Sequence, residues 1–363
     1  MTQPSQGQHQ IPVVVLAGFL GSGKTTLLNH LLHHSGGTRI GAIVNDFGAI
    51  EIDALAVAGA LGDSTVSLGN GCLCCAVDSS ELDGYLERLA RPGTGIDVIV
   101  IEASGLAEPQ ELVRMLLASE LPGIVYGGLV EVVDAAEFDA TRTKHPEIDR
   151  HLALADLAVV NKLDRAADRE RVLGLVRELA EHAAVVPATY GRIDPGFLFD
   201  CRPGEERVGQ LSFDDLHQHD DQAGEDHDGH LHTGYDSLSF TSDVPLDPRR
   251  LIAFLDARSE GLYRIKGHVD FGAYDPANRY AVHAVGPFLR FYPERWPAGA
   301  PRRTQLVLIG SGIDTAALEK DLRACTSDAP HTADEHGMWG VLRYVRDPDD
   351  GSEGPDTGPE EAA

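Results

Sequence analysis

The stretch that decides the fold is "IPVVVLAGFLGSGKTTLLNHLLHH", residues 11–34. Residues 11–17 form a continuous apolar run, which is typical of a strand buried on both faces of a sheet. Residues 24–34 carry leucines at helical spacing. Between the two, "GFLGSGKT" at residues 18–25 fits the pattern G-x-x-x-x-G-K-[ST]. The order of strand, glycine-rich loop and helix therefore predicts a phosphate-binding loop, and a chance match in an ordinary strand-to-helix turn is the weaker alternative.

The predicted loop offers the groups that bind a nucleoside polyphosphate. Backbone N–H groups would surround the β- and γ-phosphates at the amino end of the helix, and they belong to Gly21, Ser22, Gly23, Lys24 and Thr25. The Lys24 ammonium would neutralise the phosphate oxygens, and the Thr25 hydroxyl would bind Mg²⁺. We therefore expect phosphate chemistry that depends on Lys24 and Thr25.

Four further apolar runs alternate with amphipathic patterns after this loop. The runs lie at residues 39–46, 96–104, 127–135 and 157–162, and the helical patterns lie at 79–90, 108–120 and 165–182. Alternation of strands and helices predicts a mostly parallel sheet with helices on both faces. The predicted fold class is therefore α/β, with a phosphate-loop domain over residues 11–200 after a disordered amino terminus at 1–10.

The base of the nucleotide is suggested by "NKLD", residues 161–164, at the end of the fifth apolar run. The Asp164 carboxylate can accept hydrogen bonds from both donors on the Watson–Crick edge of guanine, whereas adenine offers no such pair. Asn161 would reach the base edge and hold the loop, and the aliphatic stem of Lys162 would cover the ring. Ligands of α/β sheets bind beyond the carboxyl ends of the strands, which favours guanine binding over a simple turn at a strand end.

Two polar stretches end other runs of the predicted sheet. In "IEASG", residues 101–105, Glu102 is placed to hold an Mg²⁺-bound water and the Gly105 N–H is placed to meet the γ-phosphate. In "VNDFG", residues 44–48, Asp46 is placed near the same ion. Each stretch taken singly also fits a polar turn that ends a strand. Loops of this kind are ordered by the γ-phosphate and released on hydrolysis.

Composition excludes several classes of function. The chain has 363 residues with a formal charge of −27, so the basic footprint that nucleic-acid binding needs is missing. The amino terminus "MTQPSQGQHQ" lacks the apolar core of a secretory signal, and no apolar run approaches the ~20 residues of a membrane span. We therefore expect a cytoplasmic protein of about two domains with neither nucleic acid nor membrane as partner.

Three of the five cysteines lie in "GNGCLCC", residues 69–75. An odd number of cysteines in a reducing compartment favours metal binding or reactive thiols over disulfides. Thiolates of Cys72, Cys74 and Cys75 suit Zn²⁺, Cu(I) or Co²⁺, and three ligands leave a fourth position open for exchange. Small buried side chains or a redox-active trio are the alternatives.

A change of composition divides the chain after the first domain. Residues 201–235 are rich in Asp, Gly and His, which predicts a linker. Its stretch "HQHDDQAGEDHDGHLH" fits either a solvated acidic linker or a weak auxiliary metal site, formed by His217, His219, His227, His230 and His232. Residues 236–346 predict a smaller α+β domain of the split βαβ type, in which "WGVLRYV" at 339–345 is the last strand. An acidic disordered tail is expected at 347–363.

The order of these motifs resembles that of the CobW-type metallochaperone GTPases. The resemblance extends over about residues 11–345, and its most specific mark is Cys-x-Cys-Cys within a phosphate-loop GTPase. It implies that residues 21–26, including Thr26, bind phosphate, that Asn161, Lys162 and Asp164 bind guanine, and that the three clustered cysteines bind metal. One departure is Ala49, where many relatives carry an acidic residue, and Glu51 is the candidate to replace it.

The resemblance also implies the function. We expect a slow GTPase that uses GTP and Mg²⁺, binds Zn²⁺ or Co²⁺, and passes that metal to a client metalloprotein. Cobalt delivery to a cobalamin-pathway enzyme or to a nitrile hydratase is the main alternative to zinc delivery. A passive zinc buffer and a small-molecule kinase are the alternatives from other classes. Whether the chain forms a homo-oligomer is left open.

Overall fold

The computed structural model describes residues 10–45, 65–68, 79–105, 107–199, 236–326 and 336–345. The chain divides into two compact units. The first comprises the chain up to Asp236 together with Glu260–Tyr263 and Ile309–Ile313, and the second comprises the remainder. Within the described residues, no helix is both long and apolar enough to cross a membrane.

The first unit is built on a parallel sheet of seven strands. Its strands are β1 (Ile11–Ala17), β2 (Ile40–Asn45), β3 (Thr65–Leu68), β4 (Val98–Glu102), β5 (Ile124–Asp134), β6 (Leu157–Asn161) and β7 (Ala184–Pro187). Their order in the sheet is β3-β2-β4-β1-β5-β6-β7, and the neighbouring strands pair in parallel. The predicted α/β fold with a parallel sheet is therefore confirmed.

Within the described part of the first unit, six α-helices connect these strands. They are α1 (Lys24–His33), α2 (Ser79–Leu89), α3 (Pro109–Ala118), α4 (Phe138–Lys144), α5 (Glu147–Leu154) and α6 (Arg169–Leu179). Local sequence sets their ends: Pro109 opens α3, where its missing N–H is no loss, and the Asp168 carboxylate caps α6 by accepting from the Arg171 N–H.

The core of this unit lies on both faces of the sheet. Every residue of β4 and of β6 is buried, as the continuous apolar runs predict. The helix that follows the glycine-rich loop is fixed by three fully buried leucines, Leu27, Leu28 and Leu31. Truncating one of them, as in Leu28→Ala, would cost ~2–5 kcal/mol of stability.

The sequence patterns miss two strands and two helices of this unit. The strands β3 ("TVSL") and β7 ("AVVP") have only four residues each, too few for a periodic signal. The helices α4 and α5 are also short, with seven and eight residues. They are held by burial of Phe138, Ile148 and Leu152 in a shared core cluster rather than by a long amphipathic pattern.

The second sheet has five strands. These are β8 (Asp236–Ser242), β9 (Leu262–Val269), β10 (Asn278–Val285), β11 (Phe288–Arg295) and β12 (Thr304–Gly310), in the order β11-β10-β9-β12-β8. The helix α7 (Pro248–Asp256) connects β8 to β9, and β12 lies between those two strands, which is the split βαβ arrangement expected. Two more helices follow, α8 (Thr315–Ala324) and α9 (Trp339–Leu342).

The prediction of a strand at 339–345 is wrong. Residues 339–342 form the short helix α9, in which Val341 is fully buried while Trp339 and Leu342 are 61% and 48% exposed. Burial therefore does not alternate along this segment as it does in a half-buried strand. Only Val345 makes a strand-like bridge, in parallel with Phe291 of β11.

Candidate nucleotide-binding site

Four strands end at one edge of the first sheet. Leu16 of β1 lies beside Glu102 of β4, and Asp134 of β5 lies beside Asn161 of β6. Because these pairings are parallel, the carboxyl ends of the strands meet at the same edge, and the glycine-rich loop also leaves this edge after Ala17. The structure therefore brings the loop together with side chains that are far apart in the sequence.

The glycine-rich loop folds around its own lysine. The Lys24 side chain is buried, and its Nζ donates to the carbonyl oxygens of Gly18 at 2.8 Å and Phe19 at 3.3 Å. Lys24 is also the first residue of α1, and the first turn of that helix carries no acidic residue. A buried ammonium and a helix amino end without a side-chain cap together give a positively charged cradle, which is suited to phosphate.

Thr25 and Glu102 meet at the start of α1. The Thr25 hydroxyl donates to Oε1 of Glu102 at 2.7 Å, and Glu102 is 5% exposed at the end of β4. A hydroxyl and a carboxylate are hard oxygen ligands of the kind that Mg²⁺ takes from a phosphate-binding protein. These two predicted residues therefore lie together in a donor set that fits Mg²⁺.

The side-chain amide of Asn161 joins two loops. Its Nδ2 donates to the Ser22 carbonyl oxygen, and its Oδ1 accepts from the Gly191 N–H, each at 2.9 Å. A Cβ on Gly23, whose φ is +105°, would lie 2.3 Å from that Nδ2, so the close approach requires glycine. Through these two bonds Asn161, which is 1% exposed, holds the loop, and this is one of the two roles expected of it.

Lys162 reaches the glycine-rich loop rather than standing free over a base. Its backbone is left-handed, with φ +57°, and its Nζ donates to the Gly21 carbonyl oxygen and to Asp134 Oδ2, each at 2.6 Å. The amine end of the side chain is thus fixed on both sides. Asp164 follows in the short 3₁₀ turn Leu163–Arg165 and is exposed, as a base-binding carboxylate must be.

Residues after β7 also lie at this part of the site, and no sequence motif marks them. The Leu163 N–H donates to the Ala188 carbonyl oxygen at 3.3 Å, which ties the loop at 188–192 to the NKLD turn. In this loop Tyr190 has a left-handed φ of +55° and is 68% exposed. The segment "ATYGR" matches no motif used in the sequence analysis, so only the packing of the two loops reveals its place.

Gly105 lies directly against the glycine-rich loop. A Cβ at this position would be 2.7 Å from the Leu20 backbone nitrogen, so only glycine lets the two segments approach so closely. Gly105 follows β4 by three residues, and β4 carries Glu102. Glu102 and Gly105 therefore both lie close to the glycine-rich loop. Their predicted roles toward an Mg²⁺-bound water and the γ-phosphate stay predictions, and Asp46 lies outside the described residues.

A buried carboxyl beneath the loop was also missed. Glu131 lies in the apolar run of β5 and is 2% exposed. Burial raises the pKa of this carboxyl to about 8, although the nearby Lys24 ammonium lowers it. The signal available in the sequence was an acidic residue in the middle of the apolar stretch "GGLVEVV", residues 127–133.

Two family models match the chain in the two regions where its two sheets lie. Residues 12–187 match the CobW/HypB/UreG nucleotide-binding domain, and residues 235–326 match the cobalamin synthesis protein cobW C-terminal domain. A curated relative named zinc chaperone CobW, from Sinorhizobium sp, is 30% identical over 89% of this chain and 99% of its own length. This chain belongs to the CobW family. The expected resemblance is confirmed.

Other proteins similar to this chain have names that refer to zinc and to GTPase activity. The zinc-regulated GTPase metalloprotein activator 1 of Schizosaccharomyces pombe is 31% identical over 51% of this chain and 47% of its own length. Among solved structures, the Zn(II)-bound YjiA GTPase from E. coli matches 88% of this chain and 99% of its own, with 22% identity and a TM-score of 0.41. The prediction of a CobW-family GTPase is confirmed by the family model over residues 12–187 and by the curated relatives.

The predicted metal ligands of this CobW-family chain are not part of the described structure. Cys72, Cys74 and Cys75 and the five linker histidines lie outside the described residues, as do Ala49 and Glu51. Within the described ranges, no group of three or more His, Cys, Asp or Glu side chains could hold a metal ion. The metal site therefore stays a prediction from sequence.

The described strands nevertheless fix where the cysteine segment begins. Leu68, the last residue of β3, pairs in parallel with Asn45, the last residue of β2. Asn45 and Leu68 therefore lie at the same sheet edge as Ala17, the last residue before the glycine-rich loop. This edge also carries Glu102, because β2 pairs in parallel with β4.

Proposed function

We propose that this CobW-family protein is a GTP-hydrolysing metallochaperone that carries Zn²⁺ on Cys72, Cys74 and Cys75. The observation that carries the proposal is the shared sheet edge, where the cysteine segment follows β3 and the glycine-rich loop follows β1. The zinc chaperone name of a relative that matches nearly its whole length supports zinc as the cargo. The client is a metalloprotein with an empty metal site.

The nucleotide in this proposal is GTP. Lys24 and the N–H groups at the start of α1 bind its phosphates, and Thr25 and Glu102 hold Mg²⁺, which supplies further positive charge to the phosphates. Asp164 accepts the two donors of the guanine edge. Asn161 keeps the NKLD turn, the glycine-rich loop and the loop at 188–192 in fixed relation through its two hydrogen bonds.

Binding of nucleotide and binding of metal are coupled in this proposal, because the segments that carry both sites follow strands that end at one sheet edge. Such coupling is typically worth ~1–3 kcal/mol. Structural zinc sites bind with ~10–16 kcal/mol, so hydrolysis of GTP alone cannot release the ion into water. The client must offer replacement ligands, and the state of the nucleotide shifts the exchange toward or away from it.

Cobalt remains the alternative cargo, since a thiolate set accepts Co²⁺ in the same tetrahedral geometry. The deciding experiment is an anaerobic competition of Zn²⁺ and Co²⁺ for the protein with GTP or GDP bound. Zinc delivery predicts a preference for Zn²⁺ whose strength changes severalfold between the two nucleotides, in keeping with a coupling of ~1–3 kcal/mol. A preference for Co²⁺ would favour the cobalt alternative, and metal affinities identical in both nucleotide states would contradict the coupled mechanism.

A passive zinc buffer is the competing class, and a variant pair separates it from the chaperone. Lys24→Ala removes the ammonium of the phosphate cradle, and we expect it to abolish transfer to a client while zinc affinity is kept. Lys266→Ala removes a half-buried lysine of the second sheet, whose pKa is lowered by burial, and serves as the control. Transfer that persists in Lys24→Ala would favour the passive buffer.

A further inference from the structure

Glu131 is a buried acid for which the proposed function has no role. It lies on β5 between Ala17 of β1 and Ala158 of β6, and all three positions are buried. Its Oε2 has no hydrogen-bond partner within the described residues. Burial with an unpaired carboxylate oxygen disfavours the charged form of this acid.

The charged group that acts on this carboxyl is the phosphate-binding lysine. Lys24 on α1 exerts the electrostatic effect on Glu131, while its neighbours on the two flanking strands are alanines. The Lys24 ammonium at present donates to the Gly18 and Phe19 carbonyl oxygens of the loop. Any anion that enters the cradle must therefore share this ammonium with Glu131.

We propose that Glu131 is a positioning residue of the phosphate site, which must carry a proton for the nucleotide to bind tightly. This inference rests on the proposed nucleotide function. A nucleoside diphosphate brings several negative charges to Lys24, and an ionised Glu131 would repel them through a medium of low dielectric constant. A protonated Glu131 leaves the full charge of Lys24 to the phosphates.

The coupled step takes up one proton and makes no other chemical change. When the nucleotide binds to the protein with ionised Glu131, the carboxylate takes one proton from the solvent. The product is the nucleotide complex with neutral Glu131. Below the carboxyl's own pKa of about 8 the proton is already in place, so binding is independent of it. Above that pH each binding event must draw a proton from the solvent, and the affinity falls.

The test is the affinity for GDP, with Mg²⁺ present, from pH 6.5 to 9.5 in three proteins. Glu131→Gln has the shape of the protonated acid and cannot ionise, whereas Glu131→Asp keeps a carboxyl that titrates. We expect the wild type and Glu131→Gln to bind equally at pH 7, and the wild type to be weaker by about tenfold at pH 9. The quantity compared at each pH is the ratio of the GDP affinities of the wild type and Glu131→Gln. Ionisation of the nucleotide affects both affinities equally and cancels from this ratio.

A second measurement needs no variant. Calorimetric titration of the wild type with GDP, in two buffers of different ionisation enthalpy, counts the protons taken up on binding. We expect close to one proton at pH 9 and close to none at pH 6.5. If the ratio of GDP affinities between the wild type and Glu131→Gln stays constant with pH, or if no proton is taken up at pH 9, the role of Glu131 is overturned and the proposed function is not affected. A wild type that binds no GDP at pH 7 would overturn the proposed function as well.

Discussion

The Thr25 hydroxyl donates a hydrogen bond to Glu102 at 2.7 Å, although the two residues are 77 positions apart in the chain. This bond links the first turn of α1 to the end of β4. Three residues after Glu102, Gly105 lies against the backbone of Leu20 in the glycine-rich loop. The phosphate cradle and the segment that follows β4 are therefore two parts of one site, and a nucleotide phosphate would contact both.

Removing the Thr25 hydroxyl is expected to weaken Mg²⁺-dependent binding of GTP. In Thr25→Ala we expect the effect of Mg²⁺ on GTP affinity to fall by at least about tenfold, since loss of one oxygen ligand leaves a hard cation poorly held. Thr25→Ser keeps the hydroxyl and should retain most of the effect. The measurement is nucleotide affinity with and without Mg²⁺, and an unchanged Mg²⁺ effect in Thr25→Ala would place the ion elsewhere.

Truncating Asn161 is expected to destabilise the site and lower nucleotide affinity together. Asn161→Ala leaves the Ser22 carbonyl and the Gly191 N–H without their buried partner, at a cost of about 1–3 kcal/mol. Asn278→Ala is the matched control, because the Asn278 amide, in β10 of the second sheet, likewise donates a hydrogen bond, to Asp275. Thermal unfolding and GDP titration should show that only the first variant loses affinity, and equal losses in both would argue against a specific role.

Guanine selectivity is expected to depend on Asp164. Adenine would leave this carboxylate facing no donor, and an unsatisfied group of this kind costs ~1–3 kcal/mol or more when it is charged. Asp164→Asn should shift the preference toward xanthine nucleotides, because the new amide can donate to the second carbonyl oxygen of xanthine. Competition of GDP, ADP and XDP for wild type and variant measures this, and comparable wild-type affinity for ADP and GDP would contradict it.

Basal hydrolysis of GTP is expected to be slow. Leu106, rather than a glutamine that orients water, follows Gly105 in the sequence. No arginine finger is identifiable from the sequence. Without such groups the rate should be at or below the ~10⁻² s⁻¹ of GTPases that carry an arginine in cis. Single-turnover assays would check this, and a basal rate near ~1 s⁻¹ would reveal a missed catalytic group.

The clustered thiols are expected to form the high-affinity metal site. One equivalent of Co²⁺ should give a strong sulfur-to-metal charge-transfer band in the wild type. Binding should weaken as pH falls, because the thiols must be deprotonated to bind the metal. The band should be lost in Cys74→Ala. The band should survive in a variant whose five linker histidines are changed to alanine. The linker histidines are spread over residues 217–232, whereas the cysteines lie within residues 72–75. Because ordering the backbone costs roughly 1–2 kcal/mol per residue, we expect the linker to be the weaker site.

Cys325 provides the control for the thiol experiment. Its Sγ donates to the Asp321 carbonyl oxygen, and burial raises its pKa to about 11, so it is a poor metal ligand at neutral pH. Cys325→Ala should therefore leave the Co²⁺ spectrum unchanged. A band that survives Cys74→Ala but disappears in the histidine variant would place the site in the linker.

Much of the fold could be predicted because its signals are local. The strand β1, the glycine-rich loop and α1 follow one another within residues 11–33, and each is encoded by its own composition. The short strands β3 and β7 could not be predicted, because four residues give no reliable period and their stability comes from pairing with neighbours. The strand predicted at 339–345 was wrong for a related reason, since an apolar run of seven residues fits either a strand or a helix.

What the sequence by itself determined is the phosphate-binding loop, because Lys24, Thr25 and the helix amino end are adjacent in the chain and need no distant partner to be recognised. Only the tertiary structure decided how this loop is held. Asn161 contacts Ser22 across 139 positions, and Glu131 lies under Lys24 because parallel pairing sets β5 beside β1. Contacts of that kind depend on the order and register of the strands, which arise from packing of the whole sheet and leave no local pattern in the residues themselves.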